Sequence, residues 1–269
     1  MATIRRPVSF VLASTGHGSL IVNRNDYRML DETRGFGVGY QLLTTSWFDP
    51  DEVDMVLRLL RFRRETAGDG VVALDCGANI GVHTVEWARS MHGWGSVIAI
   101  EAQERIYYAL AGNLAINNCF NASALHVAVG STTGTLDIPV PDYSKPSSFG
   151  SLELRQSPGN EFIGQAIDYS AEKCHPVDLI TIDSLALKRL DLLKLDIEGM
   201  ELEAIAGADE TLRRHKPVLL VESIKSDKEK LTSTLEALGY KIFPAGINLL
   251  AVHATDPVAE RIQVQKKTP

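Results

Sequence analysis

Acidic and glycine residues follow two apolar segments of this chain in patterns that suit ligand binding and group transfer. The first pattern, Asp75 to Gly81, reads D-C-G-A-N-I-G between a short apolar run and an amphipathic segment. Glycines at a strand-to-helix turn let a ligand approach the backbone, and a helix start offers free N–H groups. A pyrophosphate would be repelled by the leading Asp75, whereas a cationic ligand would be attracted to it.

A second acid, Glu101, follows Gly81 by about twenty residues, the interval of a βαβ unit. At the end of the next strand, its carboxylate can accept hydrogen bonds from ribose hydroxyls. S-adenosylmethionine carries a ribose, an amine and a sulfonium, and it meets both requirements. The expected cofactor-binding residues are Asp75, Gly77, Ala78, Asn79, Gly81, Thr84, Glu101, Ala102, Ala128, Val129 and Asp196.

The second pattern, Leu192 to Glu201, is an apolar run that ends in two acids, Asp196 and Glu198. Paired carboxylates at a strand end can orient an acceptor hydroxyl, take its proton or bind a divalent cation. We expect Asp196 and Glu198 to be the catalytic residues. The structural alternative is that they only cap the following helix.

Strands and helices alternate from Val71 onward, which predicts βαβ units and a mostly parallel sheet. An antiparallel strand pair is expected at the carboxyl end, Tyr240–Phe243 with Leu249–Val252. The predicted strands before this pair are Val71–Asp75, Val97–Ala102, Ala124–Val129, Thr135–Val140, Leu179–Asp183, Leu192–Asp196 and Pro217–Glu222. The predicted helices are Val82–Met91, Glu104–Asn117, Glu201–His215 and Asp227–Leu238.

The two motifs together resemble the FkbM-type methyltransferases, and the resemblance runs from about Val71 to Val252. Supporting segments are T-I-D-S-L at Thr181–Leu185 and the run from Glu201 to Ala208. The resemblance implies a Rossmann-like class I methyltransferase fold with helices on both faces. It also implies O-methylation of small molecules such as sugars, glycosides or polyketides. Family members often have Glu-Pro where this chain has Glu101-Ala102.

The predicted organisation has three parts. An N-terminal extension of short strands and one helix spans residues 1–70, with Asp49 as the N-cap of the helix. The methyltransferase domain spans residues 71–255 and contains an insert at about 141–176. That insert is rich in Ser, Gly and Pro, and we expect it to cover the active site. A polar tail occupies residues 256–269.

Composition narrows the function classes. The net charge is −7, whereas a non-specific nucleic-acid binder needs a basic face, so no nucleic-acid partner is expected. Three cysteines without a CxxC spacing favour a reducing compartment, and no apolar run reaches the length of a membrane span. We expect a cytoplasmic protein without a membrane partner, with a small hydroxyl compound as acceptor and a homodimer as its assembly.

Other residues remain open at this point. Asp183, Asp196 and Glu222 form an alternative set for a divalent cation, although the expected metal content is none. His83 and Asn248 could reach the site, His126 is expected in the core, and His175 in the insert. Two rival functions remain. One is a nicotinamide-dependent oxidoreductase, although this chain lacks the third glycine of the dinucleotide-binding fingerprint, and the other is a binding module without turnover.

Overall fold

The computed structural model describes residues 7–32 and 34–262, so part of the predicted extension and residues 263–269 of the predicted tail lie outside the described residues. In the N-terminal region, the apolar runs Val8–Leu12 and Leu20–Val22 predict two short strands, and the structure pairs strands at these positions as a hairpin. The elements of this region are β1 (Phe10–Thr15), β2 (Gly18–Asn23), β3 (Arg28–Met29), β4 (Gly35–Phe36), α1 (Val38–Thr45) and α2 (Pro50–Ala67). The sequence pattern did not predict α1, because the alternating Gly35, Gly37 and Gly39 favoured a loop or an irregular strand.

Asp49 occupies the N-cap position of α2, as predicted, but its side chain makes no capping hydrogen bond. Its backbone is left-handed, with φ at 40°, and the carboxyl group lines a cavity instead. Burial and the nearby Glu52 raise the pKa of Asp49. The backbone carbonyl of Asp49 therefore accepts the first N–H groups of α2, while its side chain is left to the cavity.

A seven-stranded sheet forms the centre of the molecule, in the order β13-β14-β12-β11-β5-β6-β7. Its strands are β5 (Val71–Cys76), β6 (Gly95–Ile100), β7 (Ala122–Leu125), β11 (Leu192–Leu195), β12 (Val218–Glu222), β13 (Tyr240–Ala245) and β14 (Asn248–His253). All pairings are parallel except those that β14 makes with β12 and β13. The predicted parallel sheet and antiparallel C-terminal pair are confirmed.

Helices cover both faces of this sheet, because side chains alternate between its faces along each strand. On one face, α2 packs with α3 (Val82–Ser90) and α4 (Glu104–Ile116) around Ala73 and Leu192. On the other face, α5 (Glu201–Ala206), α6 (Asp209–His215) and α7 (Lys228–Ala237) pack around Leu74 and Leu193. The predicted Rossmann-like α/β class is confirmed by this topology.

The predicted strand Ala124–Val129 is wrong as a single element. The chain leaves the main sheet after Leu125, and β8 (Ala128–Val129) enters a second, three-stranded sheet with β9 (Gly134–Pro139) and β10 (Cys174–Ile180). At the crossing point, the His126 ring lies 5.1 Å from the Tyr107 ring and 3.0 Å from the Ala102 carbonyl oxygen. His126 thus holds a turn between two sheets.

The predicted helix Glu201–His215 is two helices, which separate at Gly207. A Cβ atom at Gly207 would lie 2.1 Å from the Gly130 carbonyl oxygen, and the Gly207 carbonyl accepts the Asp183 N–H. Asp183 is therefore not at a strand end, because β10 stops at Ile180 and Asp183 lies in a 3₁₀ turn. This segment packs beside α6, whose first N–H groups bond to the Asp183 carboxylate.

The predicted insert packs against the N-terminal region. Its 3₁₀ turn Phe149–Ser151 buries Phe149 completely, with the Tyr143 ring 4.9 Å away. The Asp26 carboxylate accepts the Phe149 N–H and the Gly39 N–H, both at 3.0 Å. Cys174–Pro176 belong to β10 rather than to the insert, and His175 is exposed there. One buried carboxylate thus joins the extension to the insert.

Within the described ranges, no helix combines the length and hydropathy that a membrane span requires. The division into an extension, a domain and a tail stays a prediction, and the expected boundary at residue 71 coincides with the start of β5.

Asp26→Asn should destabilise the fold more at low pH than at neutral pH. Burial raises the pKa of Asp26 from 3.8 to about 6, although two N–H donors lower it. The folded chain then holds this proton more tightly than the unfolded chain. The stability supplied by protonated Asp26 is complete below pH ~4 and is lost as the pH rises through about 6, a change of about 3 kcal/mol.

Urea unfolding of both proteins at pH ~4.5 and pH ~7.5 measures this change. The destabilisation caused by Asp26→Asn should be larger at the lower pH. Asp137→Asn, which removes an exposed carboxylate on β9, controls for the loss of one charge. An equal destabilisation by Asp26→Asn at both pH values would contradict the shifted pKa.

Candidate active site

A cavity of about 430 Å³ lies where β5, β6, β11 and β12 end. This is the carboxyl edge of the parallel strands, where open α/β sheets bind ligands. The cavity is lined by residues from the loops after these strands, from β8, from the insert and from the N-terminal region. The expected residues that line it are Asp75, Gly77, Ala78, Asn79, Glu101, Ala102, Ala128, Val129, Asp196 and Glu198.

Two expected residues, Gly81 and Thr84, are not among the residues that line the cavity. Thr84 acts behind it, because its hydroxyl donates a 2.6 Å hydrogen bond to Oδ2 of Asp75. Gly81 starts α3 with a φ of 87°, a conformation that favours glycine. Both residues hold the loop in place.

Asp75 is fully buried at the end of β5. Thr84 satisfies Oδ2, whereas Oδ1 has no hydrogen-bond partner within the part of the chain that the structure describes. Buried polar atoms are nearly always hydrogen-bonded in folded proteins. An unpaired carboxylate oxygen in a residue that lines a cavity therefore marks a position for a donor or a cation from a ligand.

The glycine loop does not present its N–H groups to the cavity. Gly77 and Ala78 both donate to the Ile100 carbonyl, Asn79 donates to Glu101, and Ile80 donates to its neighbour's side chain. The expectation of free loop N–H groups is wrong here, because these donors hold the loop to the end of β6. A pyrophosphate would find few donors at this turn.

Gly77 allows the two signature loops to touch. Its φ is 78°, and a Cβ atom at this position would lie 1.7 Å from the Asp196 carbonyl oxygen. β5 and β11 are parallel neighbours with Asp75 opposite Lys194. Only glycine lets the loops after these two strands approach so closely.

Glu101 is buried beside this loop. Its Oε2 accepts the Asn79 N–H at 3.0 Å, and its Oε1 accepts the Gln103 N–H at 2.8 Å. Burial raises the pKa of Glu101 to about 7, although both hydrogen bonds lower it. Each oxygen keeps a second lone pair, so the carboxylate can still accept hydrogen bonds from a ligand in the cavity.

Two lysines neutralise the acids of the second motif. Lys194 Nζ lies 2.7 Å from Asp196 Oδ2, and Lys225 Nζ lies 2.6 Å from Glu198 Oε2. Burial lowers the pKa of Lys194, but Asp196, Asp75 and Glu52 outweigh this effect and raise it above its usual value. Burial and Asp196 raise the pKa of Glu198 despite Lys225.

Glu222, at the end of β12, is the third acid of this group. One carboxylate oxygen from each of Asp196, Glu198 and Glu222 lies within 4.8 Å of the others. Burial, Asp196 and Glu201 raise the pKa of Glu222 to about 7. The alternative set with Asp183 is wrong, because Asp183 accepts the backbone N–H groups of α6 instead.

Asp196 and Glu198 do not cap α5. The carboxylate that accepts the free N–H groups before this helix is Glu201, which bonds the N–H groups of Ile197 and Gly199. Glu201 thereby leaves Asp196 and Glu198 available to the cavity. The structural alternative for the two acids is not supported.

Residues of the N-terminal region complete the wall in a way that their sequence pattern did not indicate. His83 lies in the cavity wall with Nε2 3.3 Å from Glu52 Oε1, and Asn248 donates to Glu52 Oε2 at 2.6 Å. Glu52 is not among the residues that line the cavity, but from the first turn of α2 it contacts both His83 and Asn248, and no motif in the sequence indicates this role. Other wall residues of the N-terminal region that the sequence did not indicate are Phe36, Gly37, Val38, Gln41, Phe48 and Asp49. The insert was expected to cover the site, and it contributes Ser148, Gly150, Ser151, Leu152, Leu154 and Glu161 to the wall.

Comparison with known proteins identifies relatives of this arrangement. A family model described as the methyltransferase FkbM domain matches residues 75–242, well over half of the chain. Methyltransferase sdnD from Sordaria araneosa is 28% identical over 156 residues, which cover 51% of this chain and 60% of that protein. The match therefore spans less than two thirds of this relative's length.

Solved methyltransferase structures also align with the chain. Methyltransferase FkbM from Methylobacillus flagellatus KT is 20% identical, with a TM-score of 0.49, over 69% of this chain and 44% of that chain. Precorrin-6y C5,15-methyltransferase from Geobacter metallireducens GS-15 is 15% identical, with a TM-score of 0.43, over 78% of this chain and 89% of that chain.

Proposed function

Because the chain belongs to the FkbM methyltransferase family, we propose that it transfers the methyl group of S-adenosylmethionine to a hydroxyl oxygen of a small molecule. The observation that carries this proposal is the unpaired, buried Oδ1 of Asp75 in a cavity with many acidic side chains. An ammonium group and a sulfonium are the ligand groups that such a wall attracts most strongly.

The residues present fit S-adenosylmethionine. Asp75 would receive the cationic methionine end, Glu101 the ribose hydroxyls, and the small side chains of Ala128 and Val129 the adenine ring. The cofactor supplies a methyl group on a positive sulfur, which is already activated for displacement. The protein then needs to align the acceptor and provide a place for its proton.

The hydroxyl acceptor is supported by the acids at the end of β11. An aliphatic hydroxyl is a poor nucleophile, and a carboxylate within hydrogen-bond reach can orient it and take its proton. We assign this role to Asp196, with Glu198 beside it. The side chain of Asp196 is 39% exposed, and its ion pair with Lys194 fixes its position.

The acceptor's size and polarity are also constrained. Cofactor and acceptor must share a cavity of about 430 Å³, which favours a small compound. Exposed Ile224 and Ile247 lie at its wall and would contact an apolar part of the acceptor. A cytoplasmic location, a homodimeric assembly and the lack of nucleic-acid and membrane partners remain part of the proposal.

The nicotinamide-dependent alternative receives no support from the site. Its pyrophosphate would face Asp75 and a loop whose N–H groups are already bonded within the chain. A binding module without turnover would also bind S-adenosylmethionine, but it would form no methylated product.

Asp75→Asn should weaken the binding of S-adenosylmethionine at least about tenfold, a loss of about 1.4 kcal/mol. The amide keeps an oxygen for the Thr84 hydroxyl but removes the negative charge. Isothermal titration with S-adenosylmethionine and S-adenosylhomocysteine, with NADH for comparison, measures the change. Asp137→Asn is the matched control and should bind as the wild type does. If the wild-type protein binds neither S-adenosylmethionine nor S-adenosylhomocysteine, the cofactor assignment is refuted.

Asp196→Asn should lower turnover by a factor on the order of 10² to 10⁴, the usual contribution of a positioned base, and should affect S-adenosylhomocysteine binding much less. Hydroxyl compounds are first screened for uptake of an isotopically labelled methyl group. The turnover number with the best acceptor is then compared between the variant and the wild type. A product label that resists mild alkali identifies an ether rather than an ester. Full turnover by Asp196→Asn with tight cofactor binding would remove Asp196 from this role.

A further inference from the structure

The carboxylates of Asp196, Glu198 and Glu222 form a compact oxygen cluster at the ends of β11 and β12. One oxygen from each lies within 4.8 Å of the other two. Mg²⁺ holds its oxygen ligands about 2.1 Å away, and therefore about 3 to 4 Å from one another. Small side-chain rotations would bring all three oxygens onto one cation.

Glu222 provides an independent sign of a missing ligand. The residue is only 8% exposed and lines the cavity, and its Oε2 has no hydrogen-bond partner in the described part of the chain. No ion pair to Glu222 is found there either. A buried carboxylate oxygen without a partner is costly unless a ligand compensates for the lost water.

The two lysines of the site pair with only some of the carboxylate oxygens of the cluster. Lys194 pairs with Oδ2 of Asp196, and Lys225 pairs with Oε2 of Glu198. These ion pairs leave Oδ1 of Asp196 and Oε1 of Glu198 outside them. Lys225 is also held by the Ser151 carbonyl oxygen, at 2.6 Å, and lies 3.4 Å from Glu161. Within the described residues, the contacts of this ammonium group are therefore with Glu198 and the insert, and it forms no ion pair with Glu222.

The charge of the whole cavity favours an additional cation. Seven carboxyl side chains and two lysines line it among the described residues, a formal surplus of five negative charges when all of them are ionised. S-adenosylmethionine has a net charge of about +1 at neutral pH, because it carries one ammonium group, one sulfonium and one carboxylate of its own. A divalent cation would reduce the remaining repulsion between acids at neighbouring strand ends.

We infer that Asp196, Glu198 and Glu222 bind one divalent cation of the oxygen-preferring class, Mg²⁺ in the cell. The cation's role in turnover rests on the proposed function: it would hold the acceptor oxygen and lower the pKa of its hydroxyl. In that arrangement the three carboxylates position the cation, and the remaining coordination positions belong to water and the acceptor. Cation binding itself requires no acceptor.

Mn²⁺ titration followed by electron paramagnetic resonance tests this inference. The full chain is first freed of metal with a chelator, and the signal of free Mn²⁺ is then recorded as protein is added. We expect saturable binding of one Mn²⁺ per chain, competed by Mg²⁺. Glu222→Gln should weaken binding at least about tenfold. Glu229→Gln, an exposed carboxylate on α7, is the matched control and should bind as the wild type does.

If circular dichroism shows that Glu222→Gln does not fold, the experiment uses Asp196→Asn instead, because Asp196 is the more exposed of the two residues. Asp196→Asn should weaken Mn²⁺ binding to the same extent. Wild-type protein that binds no Mn²⁺ saturably, or folded variants that bind it as the wild type does, would overturn the inference. S-adenosylhomocysteine titration of the metal-free protein separates the two proposals. Cofactor binding without Mn²⁺ binding refutes only the cation site, and Mn²⁺ binding without cofactor binding refutes only the methyl-transfer proposal.

Discussion

The close contact between the loops after β5 and β11 is the constraint on which the site depends. A Cβ atom at Gly77 would fall 1.7 Å from the Asp196 carbonyl oxygen, so the loops meet only because this residue has no side chain. Their strands are parallel neighbours, and Glu101 and Glu222 follow the strands on either side. One glycine thus lets the acids of four consecutive strand ends surround a single cavity.

Crowding of these acids carries an electrostatic cost that the fold does not remove. Two lysines pair with Asp196 and Glu198, while Asp75 and Glu222 each keep an unpaired buried oxygen. The pKa values of Glu101 and Glu222 rise to about 7, because burial and neighbouring carboxylates oppose their ionisation. The fold thus fixes these negative charges in place, which suits the proposed cationic cofactor, since its binding would relieve part of their repulsion. Stability given up at a site in this way is common where activity requires it.

Local patterns in the sequence account for much of the fold and for the acids of the site. Apolar runs followed by Asp75, Glu101 and Asp196 are short-range signals, and the structure brings these residues to one cavity. Asp183 shows the limit of such signals. It also follows an apolar run, but the strand ends earlier, and Asp183 bonds the first N–H groups of α6. Whether an acid faces a cavity or a helix end depends on packing between distant segments.

The remaining wall of the cavity depends on contacts between segments that are far apart in the chain. Glu52 reaches His83 and Asn248, and Asp26 joins the Phe149 turn of the insert to the N-terminal region. Periodicity describes each element alone and contains no information about such pairs. The helix α1 was not predicted for a related reason. Gly39 lowers its helix propensity, but a Cβ atom at this position would lie 2.4 Å from the Asn23 carbonyl oxygen, so the packing there requires glycine.

A crystal structure of the chain with S-adenosylhomocysteine would show whether the acids of this cavity bind the cofactor. We expect the ligand in the cavity at the carboxyl edge of the sheet, with its ribose hydroxyls on Glu101 and its amine within hydrogen-bond reach of Oδ1 of Asp75. A ligand bound elsewhere, or bound in this cavity without contacts to Glu101 and Asp75, would contradict this expectation.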